Sequence, residues 1–312
     1  MGHWGLQIGL GSWDTGGNTG DTDWDGVWLE AGGTRGTHSW AQEVVPMDMA
    51  PNAFDDRYQG CRDKMAAALP ALNRSEFQPN SLFAQAWAQA TAEWQKRGSP
   101  LPPLLFPDQA IAIMAYTMST TLYKEFNDAV HEAGRSGQQY RDNFHFKSLH
   151  FLLTDALAML KDNLCRDVYM AERDIRLKVQ HGQRVRFGRF LWMPSSDAIV
   201  TEYKTGTFVQ VHTCHGVDIR KFSFNPRKQM VLTPPYEIFE VTQASQDGDK
   251  TIIQLRSTGT HSNYTCEWLG GDVMGTLGGA GTLREGGGQD TPCWGQGQGH
   301  CWEQGMGTPT AR

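Results

Sequence analysis

Six cysteines, at positions 61, 165, 214, 266, 293 and 301, are the first side chains in this sequence that could do chemistry. No Cys-x-x-Cys pair and no Cys/His grouping at zinc spacing occurs, so a metal site is a weak reading and none is assigned. Wide spacing and an even count suit disulfides in an oxidising compartment. The sequons Asn73-Arg74-Ser75 and Asn263-Tyr264-Thr265 point the same way, marking Asn73 and Asn263 as glycosylation candidates. His212 and His215 flank Cys214 like a ligand pair. A basic run of Arg173, Arg176, Lys178, Arg184, Arg186 and Arg189 could meet an anion, although alternating charges on strands read more simply as a solvated face.

The elements that must position these residues come in two textures. Phe83, Ala86, Trp87, Ala90 and Trp94 form one stripe at helical spacing, and Leu149, Leu152, Leu153, Ala156, Leu157 and Leu160 form another. Between them, 111–117 and 122–134 predict two more helices, the second stopped by Gly134. The prolines at 100, 102, 103 and 107 mark a loop. From Cys165 onward the pattern turns to short alternating runs at 184–190, 208–214, 237–243 and 251–257. Helices first and strands afterwards predict an α+β fold in one domain over 43–269.

Hydrophobic residues make up 39% of the 312, enough for a real core. The net charge of −6 argues against a dedicated nucleic-acid binder, which needs a basic face. No apolar run reaches the roughly 18–20 residues of a bilayer span. Residues 1–42 and 270–312 are rich in Gly and Trp without periodicity, and both are expected to be non-globular. The start lacks the basic and apolar regions of a signal peptide. One explanation is that both ends are gene-model artefacts, read through in place of an export signal and an anchor signal.

Seven stretches, 52–61, 111–117, 144–157, 184–190, 211–219, 231–241 and 257–268, together resemble the vertebrate ecto mono-ADP-ribosyltransferases, the arginine-specific branch. They occur in the family's order and cover essentially all of 43–269. The resemblance implies N-terminal helices followed by two packed, mainly antiparallel β-sheets around a cleft for NAD, the substrate, with no metal. It implies two disulfides, Cys61–Cys266 and Cys165–Cys214, which would remove Cys214 as a metal ligand. The longer loop closure would stabilise by roughly 4–5 kcal/mol. Cys293 and Cys301 have no family counterpart. Location at the cell surface or exterior is also implied, with NAD and an unidentified protein as partners.

The family's chemistry breaks the bond between nicotinamide and ribose, and positive charge develops on the sugar. Its signature is an arginine that grips phosphate, then Ser-x-Ser, then Glu-x-Glu beside the ribose. Here the arginine position falls on Met170, followed by Ala171. The Ser-x-Ser positions fall on Trp192 and Pro194, and Arg189 replaces the glutamine of the family's Phe-Gly-Gln-Phe. The two glutamates fall on Lys228 and Met230. The resemblance therefore implies a pseudoenzyme. Met170, Ala171, Arg189 and Trp192, together with Tyr116, are the expected neighbours of NAD. Nearby substitutes are Ser195, Ser196, Arg173, Glu237 and Glu240, the first three displaced and Glu237 also usual in the family. An active arginine-specific transferase using such substitutes, or the product of a decaying gene, is the alternative.

Overall fold

The computed structural model describes residues 7–10, 27–30, 43–98, 105–172, 175–197 and 205–268. Two short strands, β1 (Gln7–Leu10) and β2 (Val27–Glu30), pair antiparallel in the N-terminal segment. Helices α1 (Arg62–Phe77), α2 (Ser81–Arg97), α3 (Pro107–Met118), α4 (Thr120–Ala133), α5 (Gly137–Asn143) and α6 (Lys147–Leu160) follow β3 (Glu43–Pro46). The expected stripes set the packing. On α2, Phe83, Ala86, Ala90 and Trp94 are buried, Asn80 caps the start by accepting from Phe83 N, and left-handed Gly98 ends it. Helix α6 is buried from Lys147 to Leu157, polar residues included, and forms the centre of the helical layer.

Helix α1 lies outside the sequence expectation, whose first helical stripe starts at Phe83. Pro70 inside it masks the pattern, yet Met65, Leu69 and Leu72 recur at helical spacing and are buried.

After α6 the chain forms β4 (Arg166–Glu172), β5 (Ile175–Lys178), β6 (Arg184–Val185), β7 (Leu191–Pro194), β8 (Gly206–Thr213), β9 (Val217–Asp218), β10 (Met230–Thr233), β11 (Glu237–Asp247) and β12 (Lys250–Thr260). One sheet has the order β4-β8-β12-β11-β6 and a second the order β7-β10-β9, while β3 pairs with β5. Among the described residues, only β8–β12 and β3–β5 run parallel. The fold is α+β, as expected.

The run from Val168 to Leu177 contributes to two strands in two different sheets. One strand expectation needs correction. Of 184–190, only Arg184 and Val185 pair as a strand. Arg186 interrupts it, because its guanidinium turns inward. Nη1 bonds Asp55 Oδ2 at 2.6 Å and His261 O at 2.8 Å, while Nε bonds Met49 O at 2.7 Å. Gly188 then adopts φ +61°, and an added Cβ there would lie 2.4 Å from the Ala50 Cβ. Arg186 and Arg189 are 2% and 4% exposed, so the basic run is not a solvated face at these two positions.

Buried polar side chains tie the ends of the domain together. Asp55 accepts from Asn263 N at 2.7 Å besides binding Arg186. Asp155 on α6 accepts from Arg62 Nε at 2.6 Å and from Gln109 Nε2. Glu76 accepts from Lys147 N and Ser148 N, the orphan donors at the start of α6. The disulfides are Cys61–Cys266 and Cys165–Cys214.

Candidate functional site

The antiparallel pairing of β7 with β10 builds the site. Its register sets Met230 opposite Pro194 and Leu232 opposite Trp192. Met193, between the two expected Ser-x-Ser positions, lines a cavity together with Met170 from β4. Distant stretches of sequence therefore converge, and Met170 and Met193 bring thioethers to the point where they meet. Met170 and Met230 are 4% and 5% exposed. Lys228 sits half-buried in the turn before β10, its backbone N–H donating to Asn225 O at 3.3 Å.

The other expected NAD neighbours are placed as follows. Arg189 lines the cavity, with Nη1 donating to Asp128 at 2.9 Å and a buried Nη2 that has no hydrogen-bond partner. Trp192 packs edge-on against Tyr123 with ring centroids 6.0 Å apart. Ala171 points to the other face of β4, against Phe208. Tyr116 is fully buried, its hydroxyl donating to Phe190 O at 2.5 Å and accepting from Asn127 at 2.9 Å. Burial pushes the Tyr116 phenol well above its usual value. It acts as a core strut joining α3 to α4 and to the approach to β7.

The nearby substitutes are placed elsewhere or are already engaged. Glu237 is fully buried, and its carboxylate accepts from the Thr213 hydroxyl at 2.6 Å, Cys214 N at 2.8 Å and His215 N at 3.1 Å. Desolvation raises its pKa and those hydrogen bonds oppose the rise. Glu240 is half-buried within β11, opposite Arg256 and Arg184. Ser195 donates its backbone N–H to Gln229 O, and Ser196 is exposed. Arg173 lies outside the described residues, as do Cys293 and Cys301.

Sequence reasoning missed two other cavity residues. Glu172, 1% exposed, shares the cavity face of β4 with Met170, which a two-residue strand period could have shown. His131 on α4 also lines it, with burial lowering its pKa and Nδ1 without a hydrogen-bond partner. Of the two sequons, Asn263 is exposed in a loop, whereas Asn73 is half-buried inside α1.

Residues 47–263 match the family model described as NAD:arginine ADP-ribosyltransferase. The chain belongs to that family. Among relatives, it is 44% identical over 245 residues to the chicken erythroblast NAD(P)(+)--arginine ADP-ribosyltransferase, covering 77% of this chain and 81% of that one. It is 39% identical over 279 residues to the mouse GPI-linked NAD(P)(+)--arginine ADP-ribosyltransferase 1, covering 81% and 86%. Among solved structures, the eukaryotic mono-ADP-ribosyltransferase ART2.2 superposes with a TM-score of 0.62 at 32% identity, over 71% of this chain and 98% of that one. A mutant of ART2.2 has been solved in complex with NAD. NAD is the family's substrate, and in this member the cavity walls are mainly apolar.

Proposed function

We propose that this chain is an ADP-ribosyltransferase-family protein of the cell exterior in which transfer of ADP-ribose from NAD to protein arginine has been lost. The observation that carries the reading is the β7–β10 register, which sets Met230 against Pro194, the two residues that the resemblance aligns with the Glu-x-Glu and Ser-x-Ser motifs. Breaking the glycosidic bond creates a sugar cation, and this turn offers it an ammonium at Lys228 and a thioether at Met230. Two like charges about 4 Å apart cost ~4 kcal/mol at an effective dielectric near 20, about a thousandfold in rate. Loss of a carboxylate aimed at the cation removes a further ~100- to 1000-fold, and the two effects overlap. Met170 cannot grip phosphate as an arginine would, a loss of roughly 1.5–3 kcal/mol in binding. Glu237 offers no replacement, since its carboxylate is already used by Thr213, Cys214 and His215.

What remains is a binding role, for NAD or its fragments or for a protein partner. An exterior location is supported by the two disulfides and by the GPI-linked relative. No described helix is long and apolar enough to cross a membrane.

The deciding experiment incubates the full chain with labelled NAD and agmatine. The expected result is no label transfer above a no-protein control. Transfer or nicotinamide release above that control overturns the reading. A second reading, residual NAD hydrolysis, is favoured by the Glu172 carboxyl group in the cavity. It requires nicotinamide release that Glu172→Gln abolishes.

A further inference from the structure

The Cys165–Cys214 disulfide closes one end of the β4–β8 ladder, in which Arg166 faces Thr213, Asp167 faces His212 and Val168 faces Val211. Carried one step further, that register sets Cys165 opposite Cys214. Side chains two apart on a strand share a face. Cys165, one residue before β4, and Asp167 on it, with His212 on β8 and Cys214 one residue after it, therefore form a four-residue patch on the outer face of the sheet. Val168 and Val211 point inward and are buried. The strand β4 is a sheet edge, and Cys165 is exposed.

The ligand atoms of Cys165, His212 and Cys214 all lie within 4.8 Å of one another. Small side-chain rotations would bring them to zinc distances of about 2.0–2.3 Å. His212 Nδ1 is 2.8 Å from Asp167 Oδ1. With Nδ1–H donated to that carboxylate, Nε2 carries the lone pair a metal takes. A carboxylate behind a ligating histidine fixes both its tautomer and its ring orientation. An open groove lined by Asp167, His212, Gln210, Gln254 and Arg256 adjoins the patch.

We propose that reduction of Cys165–Cys214 turns this patch into a zinc site. Its ligands are Cys165 Sγ, Cys214 Sγ and a His212 imidazole nitrogen, with Asp167 as the positioning residue. A fourth position is left to water on the groove side. A dithiol reductant supplies two electrons and two protons to the S–S bond and becomes a cyclic disulfide. Zn²⁺ then forms two Zn–S bonds and releases the two thiol protons to solvent. The two thiolates balance the metal charge, and Asp167 and Arg256 flank it with opposite signs. In the oxidised protein neither sulfur is a thiolate, so the site exists only in the reduced state.

The test uses the full chain with Cys293→Ser and Cys301→Ser, reduced by a dithiol that is then removed without air. Co²⁺ is the first probe. The expected result is one Co²⁺ per chain with sulfur-to-cobalt charge-transfer and tetrahedral d–d bands, displaced by Zn²⁺ and absent from the oxidised protein. Cys214→Ser and His212→Ala should abolish the bands, and Asp167→Asn should weaken affinity by about 10- to 100-fold. Thermal unfolding provides the second measurement, because a ligand that binds only the folded state raises the midpoint. Zinc should raise the midpoint of the reduced chain, or restore a melt if reduction alone unfolds it, and should do neither for His212→Ala. Bands equal in oxidised and reduced protein, bands retained by His212→Ala, or a reduced chain on which zinc has no effect would each overturn the proposal.

Discussion

The buried polar frame of this domain and its catalytic positions have fared differently. In the frame, Asp55 meets Arg186 and two backbone amides, Glu76 caps α6, Asp155 receives Arg62 and Gln109, and Glu237 holds the turn after β8. At the positions we propose to correspond to the family's arginine, two serines and two glutamates stand Met170, Trp192, Pro194, Lys228 and Met230. On that proposal, charges that satisfy buried donors are present and charges that would face a substrate are absent. The difference is physical. A buried carboxylate removed from the frame leaves its partners unsatisfied and weakens folding. A carboxylate removed from a cleft relieves repulsion and desolvation, so folding does not require it.

The strongest way to break this contrast is Asp55→Ala, which strands the Arg186 guanidinium and the Asn263 amide in the interior. We expect a loss of about 3–5 kcal/mol in urea unfolding, and a loss below about 1 kcal/mol would show that the frame is dispensable. At the opposite pole, a variant carrying Met170→Arg, Trp192→Ser, Pro194→Ser, Lys228→Glu and Met230→Glu should fold and raise NAD hydrolysis at least ~100-fold above wild type. A folded variant as inert as the parent would place the defect outside these five positions.

Glu237→Gln should cost about 1–3 kcal/mol in the same unfolding assay, because one oxygen of the clamp becomes a donor facing backbone donors. NAD turnover should not change. A pH-dependent effect concerns His150, fully buried between Tyr58 Oη at 2.8 Å and Phe54 O at 3.2 Å. Burial lowers its pKa from 6.5 to about 3. The unfolded chain then binds the extra proton between those values, so stability is full above pH 6.5 and falls as pH drops toward 3. His150→Gln should flatten that part of the stability–pH curve, and an unchanged slope would assign the acid limb to carboxylates.

Much of the fold was legible because its signals are periodic. The stripe on α2 and the alternation in β12 and the second half of β8 reflect one-sided burial, which a local pattern records, whereas α6 is buried on all sides and was found by its leucine spacing. Helix α1 was missed because Pro70 reads as a breaker, although the chain tolerates it inside the helix. The inward turn of Arg186 was also missed. Its acceptors come from Asp55, Met49, Ala50 and His261, and no pattern within 184–190 encodes them. The site positions came from resemblance, and structure adds which of them share a cavity. Glu172 and His131 entered only through that geometry, since an acid on a strand and a histidine on a helix look like ordinary surface residues in sequence.

The links between Asp55 and the 261–264 segment, and the Cys61–Cys266 bridge that spans 205 residues, have a consequence for biosynthesis. An early segment of the domain finds several of its partners in the segment that closes the domain. Helices such as α2 and α6 can form while translation continues, but the frame cannot lock until residue 266 is free, and contacts of such high sequence separation form slowly. Chains truncated short of that point should therefore leave the ribosome open, reduced and dependent on chaperones.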